Sequence, residues 1–125
     1  MVAAPPPSDW IQDRLGNLGK WLSGGTPSMA NPDYWDGDIP WVSPKDMKRT
    51  RLRDAIDHVT GKALGNGTRL APAHALLIVV RGMILAHTAP IARAELSLAF
   101  NQDIKALVPR NDVDSEYLLW WLTAH

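Results

Sequence analysis

The stretch GGTPSMANPDYWDGDIPWVSPKDM, Gly24–Met47, is the part of this chain around which the rest is organised. It is dense in glycine, proline and tryptophan and holds almost no uninterrupted periodic run. Gly24-Gly25 opens backbone angles that other residues avoid, and Pro27 fixes the way out. Asn31-Pro32-Asp33 opens a turn, and Asp36-Gly37 has the composition of a tight turn. Pro40 disfavours helix at Ile39, so Ile39–Val42 reads as a short extended segment. Ser43 then caps a helical turn that has Pro44 at its first position, with Asp46 adding negative charge at the same end. Special-geometry residues and large aromatics at this density predict an ordered, packed loop rather than a linker.

Outward from this stretch the signals are conventional. Residues 1–9 are small and proline-rich and predict a flexible lead-in. Trp10 to Leu22 has apolar positions at offsets of three and four, which suggests a short helix, weakened by Gly16 and Gly19, before an extended approach to Gly24. Downstream, Asp54–Val59 alternates in part like a strand, Thr60 is placed to cap a turn through Leu64, and Gly65-Asn66-Gly67 is a turn. Leu76–Val80 is a continuous branched apolar run, which predicts a central strand with Leu77, Ile78 and Val79 buried. Met83–Ala86 reads as its partner. Leu96–Phe100 alternates, and Ile104–Val108 forms another strand. A final helix opens at Ser115-Glu116 and is apolar nearly all round, so it needs burial on more than one side. The fold class these elements predict is α+β: a mixed, mostly antiparallel sheet with short helices and long ordered loops.

Composition narrows the function. The chain has 125 residues, 46% of them hydrophobic and 21% charged, which suits one soluble domain. There is no cysteine, which excludes disulfides and thiolate metal sites. The four histidines show no metal-like spacing. The opening residues carry neither a basic region nor an apolar core, and the apolar stretch Ala75–Ala86 is too short to span a bilayer, so a cytoplasmic protein without membrane partners is expected. Net charge is zero, unlike a free-standing nucleic-acid binder. The charge is nevertheless unevenly spread. Lys45, Lys48, Arg49, Arg51 and Arg53 put five of the thirteen basic residues in nine positions. Such a run is either a solvated face or a phosphate-contacting edge, and the sequence leaves both open.

GGTPS, NPDYWDGDIPWVSPKDM, LLIVVRGMILAHTAPIA, NQDIKALVP and EYLLWWL, in this order, resemble the target recognition domain of the DNA-specificity subunit of type I restriction-modification systems. The resemblance runs from about Trp10 to the C-terminus, making 10–125 a single recognition domain. It implies a non-catalytic module that reads one half of a bipartite double-stranded DNA target beside methyltransferase and endonuclease subunits. S-adenosylmethionine, ATP and magnesium would belong to those partners, so no cofactor is expected on this chain. A full specificity subunit carries two recognition domains and long helices. One domain that stops as its last helix begins leaves open a fragment, a truncated gene product or a half-subunit, with a second recognition domain or a second copy of the chain as a further expected partner.

Individual motifs sharpen or blunt this reading. Asn31-Pro32-Asp33-Tyr34 resembles the Asn-Pro-Pro-Tyr signature of amino-group DNA methyltransferases, but no glycine-rich strand-to-helix turn is present to hold the cofactor, and an ordinary turn is favoured. Gly24–Ser28 lacks the lysine of a nucleotide-binding loop. Its hydroxyls, Thr26 and Ser28, can still meet a DNA phosphate, or the segment can simply be a turn closing the core. Arg81, at a sheet end, can reach DNA or pair with a carboxylate. Asn101 and Gln102 suit adenine pairing or structural roles; family members read different sequences, so the resemblance favours a structural or phosphate-positioning role. Trp35 and Trp41 are packing residues before they are base-stacking ones. The candidate DNA contacts are therefore Thr26, Ser28, Lys45, Lys48, Arg49, Arg51, Arg53 and Arg81. Two alternatives stand beside this: a degenerate methyltransferase fragment, and a tryptophan-rich protein- or carbohydrate-interaction module.

Overall fold

A computed structural model describes residues 17–81 and 90–124. The elements are β1 (Gly19–Ser23), β2 (Trp35–Val42), β3 (Arg51–Leu52), β4 (Asp57–Val59), β5 (Arg69–Ala71), β6 (Leu76–Val79), β7 (Ile91–Ala94), β8 (Leu98–Phe100), β9 (Ile104–Pro109) and helix α1 (Ser115–Ala124). Three single 3-10 turns, at Pro32–Tyr34, Pro44–Asp46 and Gly61–Ala63, punctuate the long loops. The expected lead-in at 1–9, the expected strand at Met83–Ala86 and the first part of the Trp10–Leu22 stretch lie outside the described residues; from Gly19 that stretch is strand β1, the expected extended approach to Gly24.

The expected α+β class holds, but as two sheets instead of one. A five-stranded sheet has the order β1-β9-β6-β7-β3, and a four-stranded sheet the order β4-β2-β8-β5. Neighbours are antiparallel except β3 with β7 and β2 with β8, which makes both sheets mixed. The branched run does become the middle strand of the larger sheet, paired with β7 and β9.

Alternation along these strands divides the apolar residues into layers. Leu22, Leu77, Val79, Ala92, Ile104 and Ala106 of the larger sheet meet Val42, Ala71, Leu98 and Phe100 of the smaller, forming the main core between the sheets. The opposite side of the larger sheet carries Leu76 and Leu107, covered by Leu118, Leu119 and Leu122 of α1. The outer side of the smaller sheet is covered by loops: Tyr34, Trp35, Ala63 and Leu64 close over Trp41, Val59 and Ala99. Each fully buried side chain of Leu or Phe size contributes about 1.5–3 kcal/mol relative to exposure.

Several local expectations change. Ile78 is only half-buried, because α1 covers Leu76 and Leu107 but leaves Ile78 beside Ile91 and exposed Lys105. Asp36-Gly37 is no hairpin turn; it lies inside β2 at a register shift, with Asp36 at φ 62° and Gly37 pressed against the backbone of Val59 and Thr60. Only Asp57–Val59 of the 54–59 segment is strand. Thr60 precedes its 3-10 turn but sends its hydroxyl to the carbonyl of Asp33 instead of capping. Helix α1 is buried through Leu118, Leu119 and Trp121, while Tyr117 and Trp120 stay exposed as a tilted pair.

Candidate nucleic-acid interface

The first half of the central stretch is built from close backbone approaches. Gly25 N–H donates to the carbonyl of Phe100 at 3.0 Å, and any side chain at Gly25 would run into the carbonyl oxygen of Gly67. Trp41 Nε1 donates to the Gly25 carbonyl at 3.1 Å and Trp35 Nε1 to the Ser28 carbonyl at 3.0 Å. The two rings meet edge to face, with centroids 5.1 Å apart. Asn31 accepts the N–H of Asp33 through its side chain at 2.9 Å, an ordinary Asn-Pro turn. Both tryptophans thus spend their only donors on the loop itself, which makes this segment a packed scaffold.

Thr26 and Arg81 come together through a third residue. Thr26 Oγ1 donates to the side-chain oxygen of Gln102, and Arg81 donates to the main-chain carbonyl of Gln102 at 2.6 Å. Arg81 also lies 3.7 Å from the Asp103 carboxylate while its side chain stays 63% exposed. Asn101 turns inward and its side chain accepts the N–H of Asp103, a structural role.

The basic run forms a different kind of loop. Met47 and Leu52 are buried in the main core, so the residues between them bulge outward from two apolar anchors. Lys48, Arg49, Arg51 and Arg53 line an open groove of about 450 Å³ together with Asp46 and Asp54. The cations in this run are not equivalent. Lys45 pairs with Asp57 at 2.8 Å, and that hydrogen bond raises its pKa. Arg51 bonds to Glu116 at the start of α1 and reaches Glu95 at 3.5 Å; Arg53 reaches Glu95 at 3.7 Å. The same Glu95 accepts from buried Arg93, which in turn donates to Ser115 at 2.9 Å. The bond from Arg51 holds the Glu116 carboxyl below its ordinary 4.5. Lys48 and Arg49 are exposed and, among the described residues, carry no ion pair. Of the five cations, three are tied to acids of the domain and two face outward.

Sequence reasoning missed Glu95, which gathers Arg51, Arg53 and Arg93 from three positions; nothing local to Glu95 announces that. It also assigned Asp46 only to its turn. The Ser43-x-x-Asp46 spacing of a capping box was the available signal.

The family model of the type I restriction modification DNA specificity domain matches residues 7–125. The chain belongs to this family. Its relatives include the type I restriction enzyme EcoR124I/EcoR124II specificity subunit of Escherichia coli, 42% identical over 83% of this chain, and the MjaIX specificity subunit of Methanocaldococcus jannaschii, 31% identical over 91%. In both cases the match spans about 26% of the relative's length. The fold is that of the HsdS subunit from Thermoanaerobacter tengcongensis, with a TM-score of 0.65 at 18% identity, covering 87% of this chain and 26% of that one. A chain from a study of complex assembly in a type I R-M system gives a TM-score of 0.66 at 21% identity. Membership in this specificity-domain family replaces the methyltransferase and tryptophan-module alternatives. Among the described residues no helix is long and apolar enough to cross a membrane.

Proposed function

We propose that this domain reads one half of a bipartite double-stranded DNA target for a type I restriction-modification complex, in the cytoplasm, and catalyses no reaction itself. Methyltransferase and endonuclease subunits would be its partners, with a second recognition domain or a second copy supplying the other half-site. The observation that carries this reading is the basic groove: a chain of zero net charge that presents Lys48 and Arg49 outward from one loop. Phosphate contacts supply most sequence-independent affinity, and a neutral protein must gather its cations on one face to obtain it. Lys48 and Arg49 act as the primary phosphate contacts. Lys45, Arg51 and Arg53 border them with their charge partly answered by acids. Thr26 and Arg81, joined through Gln102, form a second candidate group, and Ser28 is a separate candidate in the same loop. Selection of bound duplexes from a random-sequence pool by the purified chain should enrich one short sequence. Recovery of unenriched DNA, or no retained DNA at all, would contradict the reading, as would methyl transfer from S-adenosylmethionine by the chain alone.

A further inference from the structure

The basic loop leaves β2 at Ser43 and approaches β4 at Ile56, and one carboxylate ties both ends. Ser43 N–H donates to Asp46 Oδ2 at 3.0 Å, and Ile56 N–H donates to Asp46 Oδ1 at 3.0 Å. The main chain of Asp46 adds a bond from its N–H to the Ser43 carbonyl at 2.9 Å. Lys48 and Arg49 project from the segment that this side chain closes, flanked by buried Met47 and Leu52.

We infer that Asp46 is a positioning residue for DNA binding, holding the loop so that Lys48 and Arg49 present one fixed pair of cations to the phosphates. The inference rests on the DNA reading above. Two opposite effects make it decidable. Asp46 lines the same groove as the cations, so charge alone predicts that removing it tightens DNA binding by relieving repulsion. Positioning predicts the reverse, because a loop that loses both side-chain ties, and keeps only its main-chain bonds and the buried Met47 and Leu52, must be ordered further each time it binds.

The test uses the full chain and a random-sequence duplex, with affinity measured against salt at a temperature where circular dichroism shows every variant folded. Asp46→Ala should weaken binding about tenfold, the equivalent of re-ordering the backbone of roughly one residue. The same change in a Lys48→Ala/Arg49→Ala background should have no further effect, which a merely structural role of Asp46 would not produce. Asp46→Asn removes the charge and keeps one acceptor, so it should weaken binding by a smaller factor; it also decides the matter if the alanine variant fails to fold. Tighter or unchanged binding in either variant overturns the inference, and so does an equal loss in both backgrounds. If Lys48→Ala/Arg49→Ala itself binds like the parent, the DNA reading of this loop fails and the inference falls with it. Failure at Asp46 alone leaves that reading standing.

Discussion

The aromatic segment at 24–42 and the basic segment at 43–56 are adjacent in sequence, yet they are held in different ways. The first is fixed by its interior: glycines against carbonyls, and two tryptophans donating to the loop's own backbone. The second is fixed at separate points, by Asp46 at its ends, by Met47 and Leu52 in the core with β3 paired to β7, and by Glu95 and Glu116 on its arginines. An interior-packed loop has nothing left to offer a ligand except its surface. A loop held at separate points keeps what lies between them free, and here that is Lys48 and Arg49. Density of special residues therefore marks order, while the unanswered charge marks the proposed DNA contact.

The largest expected break in this contrast is at the scaffold. Trp41→Ala removes a buried ring, its bond to Gly25 and its partner Trp35, and should cost about 3–5 kcal/mol in denaturant unfolding. Gly25→Ala drives a methyl group into the Gly67 carbonyl and should cost about 3 kcal/mol or more. Loss within roughly 0.5 kcal/mol for either, typical of a surface position, would show the aromatic loop to be loosely held. Leu77→Ala, in the layer between the sheets, should cost about 2–5 kcal/mol, and Ile78→Ala clearly less because α1 leaves it half-covered.

A smaller effect sharpens the other side. The folded-state pKa of Glu116 is depressed, chiefly by its bond from Arg51. Its stabilising contribution is therefore fully present above 4.5 and is lost as pH falls through the lowered value. The stability gap between the parent and Glu116→Gln should be small at neutral pH, since the pair is exposed, and should close as pH drops below 4.5. A gap that widens in acid contradicts the assignment.

These contrasts also show which parts of the fold the sequence could reveal. The Ser43-Pro44 turn, the Gly65-Asn66-Gly67 turn, the central run at Leu76 and the strand from Ile104 were all legible, because capping, left-handed glycines and branched apolar runs act over a few residues. Two sheets in place of one were not, since the parallel pairings of β2 with β8 and β3 with β7 join segments far apart in the chain. The same reason hid the tie from Arg51 to Glu95 and Glu116, so the five cations of the run looked alike. Asp36-Gly37 misled because a residue at positive φ serves a strand irregularity as well as a turn.

The central proposal is that Lys48 and Arg49, ahead of the paired cations and the aromatic loop, supply the primary phosphate contacts. The slope of log affinity against log salt, measured for the parent and for Lys48→Ala/Arg49→Ala on a random-sequence duplex, tests it most directly. With two contacts at roughly 0.9 each, the double variant should flatten the slope by about 1.8 and weaken cognate and random duplexes by similar factors. An unchanged slope would contradict the claim and leave the run as a solvated edge, with the DNA face elsewhere on the domain.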